Sequence, residues 1–170
     1  MTKKEIHTKI REMRFILLDR IDELAISRYA SGVKCVSMTD DIFNHHFPGY
    51  PIMPGSLIME GLAQLSGVLF EYSLLKKGHT HKRAVLTLVN RMKFRRVVVP
   101  GDKLEYKSEV KVFYPDEYAV ATVTAMCDGE LCAEGELMYG FLDILDSRLK
   151  QTSLELIEEA LKNTKITTIE

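Results

Sequence analysis

The feature that most constrains the fold is a run of about twenty residues, 56–75, that is apolar around nearly its whole circumference. Its apolar members are Leu57, Ile58, Met59, Leu62, Ala63, Leu65, Val68, Leu69 and Phe70. Pro54 and Gly55 precede the run and Gly78 follows it, which is typical of the ends of a helix. At helical rise the run spans about 30 Å, the diameter of a small domain. A helix that is apolar on nearly all sides is expected to lie in the interior.

The rest of the chain predicts strands around this helix, because it alternates apolar and polar residues with a period of two. The predicted strands cover about Val33 to Met38, Ala84 to Val99, Leu104 to Val112, Tyr118 to Cys127 and Leu131 to Tyr139. Asp128-Gly129 between the last two is a strong signal for a two-residue hairpin. One buried helix with several antiparallel strands is an α+β pattern, and the simplest arrangement wraps the sheet around the helix.

A second, amphipathic helix is predicted over residues 152–162. Thr152 followed by Glu155 suits a capping box at its start. Its apolar face consists of Leu154, Ile157 and Leu161. Because 170 residues are enough for one domain, we expect a single domain over 1–145. The remaining residues, 146–170, are expected to form a helical extension packed on or beside it.

Composition and charge exclude several classes of function. The formal net charge is −1, so no global basic field is available to hold nucleic acid. The charged N-terminus and the absence of an 18-residue apolar run predict neither a signal peptide nor a membrane span. Three cysteines, without metal-ligand spacing, indicate a reduced and therefore cytoplasmic protein. Neither common glycine-rich nucleotide-binding motif is present.

The residues that indicate chemistry lie between His46 and Gln64. Pro48, Pro51 and Pro54 fix a rigid loop that leads into the N-terminus of the apolar helix. Within that helix a polar stripe is expected, since positions 60, 64, 67 and 71 share one face and read Glu, Gln, Gly and Glu. The loop and the stripe together are candidates for an active site.

Glu60 is the candidate general acid. A carboxyl on an apolar helix is costly unless it is paired or its pKa is raised, and a raised pKa is what a general acid needs at neutral pH. The alternative is a structural ion pair between Glu60 and a basic residue at a dimer interface, because ion pairs also perturb pKa values.

His46 is the candidate general base, because the proline-rich loop holds it just before the helix N-terminus. Unpaired backbone N–H groups near Gly55 are suited to an oxyanion that develops on a bound carbonyl. A base, an acid and oxyanion donors indicate proton removal next to a carbonyl with loss of a leaving group. The other isolated histidines, His7, His79 and His81, are interpreted as ordinary surface residues, since two histidines on a polar turn are weak evidence for a metal.

Residues 46–64 resemble the signature of the (3R)-hydroxyacyl-acyl-carrier-protein dehydratases of the FabZ type. They read His46-Phe-Pro-Gly-x-Pro-x-Met-Pro-Gly-x-Leu-x-x-Glu60-x-x-Ala-Gln64. The resemblance extends over roughly residues 13–141, with further matching segments that begin at Phe15, Phe94 and Asp128.

The resemblance implies a hotdog fold, in which an antiparallel sheet wraps a long helix, and the dehydration of 3-hydroxyacyl thioesters to enoyl thioesters. It implies that His46 removes the C2 proton and that Glu60 of the partner subunit helps the 3-hydroxyl to leave as water. It further implies that the Gly55 N–H binds the thioester oxygen and that Gln64 orients Glu60. No metal, nucleotide or other cofactor is required.

Two positions depart from the family's pattern. His45 stands where glycine is usual, and its side chain is expected to point away from the site, because adjacent side chains in extended backbone face opposite ways. Ser56 stands where a small apolar residue is common and is expected to cap the helix. Ser56 and Phe47 complete the predicted contacts with substrate.

The expected partners are an acyl carrier protein and a second copy of the chain, with a trimer of dimers as a further assembly. In an extended strand, Arg91, Lys93 and Arg95 would share one face, and Arg96 follows. This basic patch suits an acidic carrier. The alternative is an ordinary solvated strand face.

Two other functions stay open beside dehydration. A hotdog acyl-thioesterase would release a free thiol rather than an enoyl product and would need an activated water. A non-catalytic acyl-binding subunit would keep the fold alone, although the presence of both His46 and Glu60 argues against it.

Overall fold

The computed structural model describes residues 15–168, so predictions that concern residues 1–14 and 169–170, His7 among them, lie outside the described part. Its elements, in chain order, are β1 (Arg20–Ala25), β2 (Tyr29–Cys35), α1 (Gly55–Lys76), β3 (Lys82–Phe94), β4 (Lys103–Tyr114), β5 (Tyr118–Cys127), β6 (Glu130–Asp143), α2 (Ser147–Ala160) and β7 (Lys165–Thr167). A short 3-10 turn, Asp41–Asn44, precedes α1. The predicted α+β organisation is confirmed.

The strands form one seven-stranded sheet in the order β3-β6-β5-β4-β2-β1-β7. Neighbouring strands are antiparallel except β1 and β7, which are parallel. The hairpin at Asp128-Gly129 is confirmed: both residues have positive φ, 50° and 80°, as a type I′ turn requires. β3 is at one end of the sheet and so leaves an edge.

The long apolar helix lies against this sheet and supplies the centre of the core. It begins at Gly55, one residue before the predicted start, and ends at Lys76. Its fully buried side chains are Leu62, Leu65, Leu69, Phe70 and Leu74. Ser66 is equally buried and is satisfied by hydrogen bonds to the Leu62 carbonyl and to Ser108 of β4, at 2.8 Å each. Among the described residues no helix is both long and apolar enough to cross a membrane.

Two strand predictions need correction, and one strand before them was missed. β2 begins four residues before the predicted Val33 and ends at Cys35, and β1 was not predicted at all. β3 ends at Phe94 and does not reach Val99. Arg95 still donates to the Cys132 carbonyl of β6 at 2.7 Å. The chain then leaves the sheet, and the Val98 carbonyl accepts the N–H of Met53 in the loop before α1, at 2.8 Å.

The helix of the extension is longer, and the extension better anchored, than the sequence pattern indicates. α2 begins at Ser147, because Asp146 caps it by accepting the N–H groups of Arg148 and Leu149. The predicted capping box is therefore wrong, and the Thr152 hydroxyl donates instead to the Arg148 carbonyl inside the helix. Ile157 and Leu161 are buried in the common core, and β7, also unpredicted, pairs with β1.

Candidate active site

His46 is held by backbone on both sides of the loop. Its N–H donates to the Ile42 carbonyl in the 3-10 turn at 2.9 Å, and its own carbonyl accepts the Ile52 N–H at 2.9 Å. The ring is half-buried and stacked on Phe47, with 4.2 Å between centroids. These contacts fix the position of the imidazole before any substrate binds.

One hydrogen bond determines which ring nitrogen is available for chemistry. Nδ1 of His46 lies 2.8 Å from the Ile52 carbonyl oxygen. A carbonyl oxygen only accepts, so Nδ1 carries the hydrogen. In the neutral imidazole Nε2 then has the free lone pair and is able to take a proton.

Gly55 begins α1 directly after the loop. The N-cap residue is Pro54, which provides no side-chain hydrogen bond, and its carbonyl accepts the N–H groups of Leu57 and Ile58. Within the described residues, no hydrogen bond is made by the backbone N–H of Gly55 or Ser56. Such free N–H groups at a helix N-terminus are suited to an oxyanion.

The ring of Phe94 lies over Gly55. A Cβ built on Gly55 would lie 2.9 Å from three ring atoms of Phe94, so only glycine allows this approach. Phe94, at the end of β3, is half exposed at 50%. Sequence reasoning did not predict Phe94 as a site residue, because the contact joins residues distant in the chain.

Ser56 is exposed and makes no cap, since it is the second residue of the helix and Pro54 is the N-cap. The expectation that Ser56 caps α1 is therefore wrong. Phe47 is exposed as well, and its backbone exchanges hydrogen bonds with Tyr50 at 3.1 and 2.9 Å. Both side chains remain accessible to a ligand.

Glu60 and Gln64 are connected as the stripe predicts. The Gln64 Nε2 donates to Glu60 Oε1 at 3.1 Å. The same amide binds the chain before β1: Oε1 accepts the Leu17 N–H at 2.9 Å, and Nε2 donates to the Phe15 carbonyl at 3.0 Å. This use of residues 15–17 was not foreseen. Gln64 is thereby held by three partners, and it fixes one oxygen of Glu60.

Glu60 and Gln64 line a cavity of about 770 Å³ beside α1, within the size range of small-molecule sites. Tyr139 lies at the same cavity and donates to the Ala63 carbonyl at 2.7 Å. Burial raises the pKa of Tyr139, and the nearby charge of Glu60 adds to that rise. The described residues that line this cavity include Glu60 but not His46.

The basic patch differs from its prediction. A bulge between Asn90 and Lys93 interrupts the strand, and Arg91 has a positive φ of 52°, so simple alternation fails. Arg95 pairs with Glu134 at 2.7 Å.

Arg96, the last residue of the patch, has two acidic partners. It lies 3.0 Å from Asp102 and 3.1 Å from Glu130. Burial acts to raise the pKa of Asp102, but hydrogen bonds from the Val99 N–H and the Arg96 guanidinium together outweigh it and lower that pKa. The charges of Arg95 and Arg96 are therefore balanced within the chain.

The structure also shows the surroundings of the three other described histidines. His45 closes the 3-10 turn with φ −123° and ψ −24°, so its backbone is not extended as assumed, yet its side chain is exposed. His79 lies 3.5 Å from Asp116, and His81 lies 3.4 Å from Asp143.

One group of possible metal ligands occurs among the described residues: Asp102, Cys127 and Asp128, with ligand atoms within 4.8 Å of one another. Asp102 is already engaged by Arg96 and by the Val99 N–H at 3.0 Å. This group therefore has a structural explanation.

Comparison with known proteins adds three findings. Residues 10–138 match the FabA-like domain. A 3-hydroxyacyl-[acyl-carrier-protein] dehydratase FabZ from Acetivibrio thermocellus is 41% identical over 129 residues, which are 76% of this chain and 86% of that relative. A hot-dog-like protein from Thermanaerovibrio acidaminovorans superposes with a TM-score of 0.58 at 17% identity, covering 76% of this chain and 89% of that one.

A thioesterase from Haemophilus influenzae also superposes, with a TM-score of 0.56 at 12% identity, over 71% of this chain and 76% of its own. Likeness at this level of identity shows the fold alone. The predicted hotdog fold is confirmed.

Proposed function

Because this chain belongs to the FabA-like domain family and is a 3-hydroxyacyl-[acyl-carrier-protein] dehydratase of the FabZ type, we propose that His46 and Glu60 carry out the dehydration. The family match covers residues 10–138 and contains both residues. The reaction removes water from a 3-hydroxyacyl thioester: a C2–H bond and the C3–O bond break, and a C2–C3 double bond forms.

His46 is the base. The hydrogen bond from Nδ1 to the Ile52 carbonyl is the observation that carries this assignment, because it leaves the Nε2 lone pair free. Nε2 takes the C2 proton. The Ile52 carbonyl then stabilises the imidazolium through the Nδ1 hydrogen that it already accepts. General bases of this kind contribute about 10²–10⁴-fold.

Glu60 is the acid. In its protonated form it delivers a proton to the 3-hydroxyl, which leaves as water. Gln64 supports this role, since its amide donates to Oε1 and leaves Oε2 for the proton and the substrate. The proton gained by His46 and the proton lost by Glu60 are balanced by exchange with water after the product leaves.

The N-terminus of α1 stabilises the charge that develops on the thioester oxygen. We assign this oxyanion site to the free N–H of Gly55, with the N–H of Ser56 beside it. Phe94 covers Gly55, and the exposed Phe47 extends from the His46 loop. The two rings are placed to exclude water from the thioester.

The His46 and the Glu60 that act on one substrate molecule belong to different protomers of a homodimer. The cavity that contains Glu60 is not lined by the His46 of the same chain among the described residues. β3 is an edge strand with exposed Val85, Leu88 and Val89. An exposed apolar edge of this kind favours pairing with a second copy about a two-fold axis.

Mixing two inactive variants tests the shared site. His46→Ala and Glu60→Ala chains are co-expressed in equal amounts, so that about half of the dimers are mixed. Each mixed dimer has one site with both lesions and one intact site, so activity should recover to roughly a quarter of wild type. No recovery, with mixed dimers demonstrated by differential tags, contradicts the shared site.

The product identifies the reaction in the same assay. Enoyl thioester is expected, and free thiol would indicate a thioesterase instead. This readout separates a failure of the dehydration assignment from a failure of the shared site.

We propose that the carrier protein contacts the C-terminal part of β3, in the region of Arg91 and Lys93. Both are exposed, whereas Arg95 and Arg96 already have acidic partners within the chain. An acidic carrier would be attracted to this region, and salt would weaken the attraction.

We also propose a cellular location and a higher assembly for this protein. A cytoplasmic location fits the three free thiols, Cys35, Cys127 and Cys132. A trimer of dimers is a further proposal, which light scattering of the purified protein tests directly.

A further inference from the structure

The cavity beside α1 is lined by several parts of the chain: α1, residues 15–21, strands β3 and β6, and the C-terminal extension. The helix contributes its polar stripe with two small residues, Ala63 and Gly67. The C-terminal extension contributes Leu156, Glu159, Ala160, Lys162, Asn163 and Thr164. All six lie beyond residue 138, where the match to the FabA-like domain ends. One side of the cavity is therefore an addition outside the matched domain.

The extension is held firmly at both ends of this cavity. At one end Arg83 donates to Ser153 of α2 and pairs with Glu71 of α1 at 2.6 Å. At the other end the Thr164 hydroxyl donates to the Ile21 carbonyl at 2.9 Å, just before β7 joins β1. Between these anchors Ile157 packs into the core. The wall is fixed in place and is not a loose tail.

The cavity also has a polar limit. From Glu60 to Glu71 the helix advances by about 16 Å at a rise of about 1.5 Å per residue. Glu71 is buried and paired with Arg83. An apolar chain that enters beside Glu60 passes Ala63 and Gly67 and then meets this ion pair, which it cannot displace without leaving charges unpaired in the interior.

We propose that the extension, residues 146–168, is the wall against which the acyl chain packs, and that Leu156 and Ala160 limit the length of chain that is accepted. This inference rests on the proposed function, because it takes the cavity that contains Glu60 as the substrate site. Leu156 is half-buried, and Ala160 is small and exposed at the open side of the cavity. Both side chains can therefore be changed in size without disturbing the core.

Two substitutions with opposite effects on the size of the cavity test the inference. Ala160→Leu fills the cavity, and Leu156→Ala widens it. For each, kcat/KM is measured with 3-hydroxybutanoyl and 3-hydroxydecanoyl thioesters, and the ratio of long to short is compared with wild type. Glu158→Leu is the matched control, because it adds a leucine at a position of α2 that is exposed, as Ala160 is, but does not line the cavity.

Ala160→Leu should lower the long-to-short ratio by about 10-fold or more, the range expected for crowding by a few carbons. Leu156→Ala should raise the ratio, and Glu158→Leu should leave it unchanged. An unchanged ratio in both cavity variants, or the same change in the control, overturns the inference. If Ala160→Leu does not fold, as judged by circular dichroism, the direction of the Leu156→Ala shift decides alone.

The same data distinguish this inference from the proposed function. If wild-type protein forms no enoyl product from either thioester, the proposed function fails. If it dehydrates both thioesters but substitutions in the extension do not change the long-to-short ratio, only the inference about the extension is wrong.

Discussion

Gly55→Ala is the substitution whose effect follows most directly from the site's geometry. It keeps the backbone N–H that we assign to the oxyanion, and it adds one methyl group. That methyl group would lie 2.9 Å from three atoms of the Phe94 ring. Ordinary carbon contacts are about 3.5–4.0 Å, so the ring or the helix start must retreat by about 0.6–1 Å.

The expected loss is in catalysis more than in stability. A displacement of about 1 Å in a group that positions substrate can cost about 10²-fold, so kcat/KM should fall by 10- to 100-fold. Phe94 is half exposed and able to yield, so the free energy of unfolding should fall by only about 1 kcal/mol. For a chain of this size that lowers Tm by about 2–4 °C.

The assay measures enoyl product formation together with thermal unfolding of the same samples. Gly67→Ala is the matched control for stability: its Cβ would meet nothing closer than 4.0 Å, from Tyr139. Its free energy of unfolding should rise by about 0.5–1 kcal/mol, as for glycine to alanine inside a helix.

A second variant makes the steric argument testable by itself. In the double variant Gly55→Ala/Phe94→Leu, a smaller side chain replaces the ring. This variant should recover part of the activity lost in Gly55→Ala, a non-additive result expected only for residues in contact. Wild-type activity in Gly55→Ala, or a double variant no better than the single one, would refute the reasoning.

Three further outcomes are expected. His46→Ala and Glu60→Gln should each lower kcat by about 10²–10⁴-fold, whereas His45→Ala should be far milder; a comparable loss there would mean that the wrong histidine is assigned. Burial raises the pKa of Glu71 above its usual 4.5 despite Arg83, so the folded state binds the proton more tightly and stability falls as pH rises above about 4.5. The Tm of Glu71→Gln should not show that fall, and parallel profiles of Tm against pH for the variant and wild type would contradict this expectation. Lys93→Glu should raise KM for carrier-linked substrate more than for a short free thioester, with the difference shrinking in high salt; equal effects on both substrates would remove Lys93 from the carrier surface.

Much of the architecture could be read from local patterns. The helix predicted over 56–75 is Gly55–Lys76, because an all-apolar run with proline and glycine at its ends has few alternatives. The Asp128-Gly129 hairpin was equally clear, since only a few residue pairs tolerate positive φ at both positions. The polar stripe of Glu60 and Gln64 follows from helical periodicity, and their side chains are indeed hydrogen bonded.

Other features depend on partners that are distant in sequence. After β3 the chain turns toward the loop before α1, where the Val98 carbonyl accepts the N–H of Met53, a contact that no local pattern contains. The same strand bulges before Lys93 through its register with β6, and the bulge breaks the predicted basic face. The acidic partner of Arg95, Glu134, comes from that neighbouring strand.

The sequence by itself determined the long helix, the rigid loop before it and the residue types that the chemistry needs, because these depend on neighbours within a few positions. The tertiary structure alone decided which nitrogen of His46 is free, that Phe94 covers Gly55, and that the extension walls the cavity beside Glu60. These contacts join residues far apart in the chain, and their geometry exists only once the sheet has assembled around the helix.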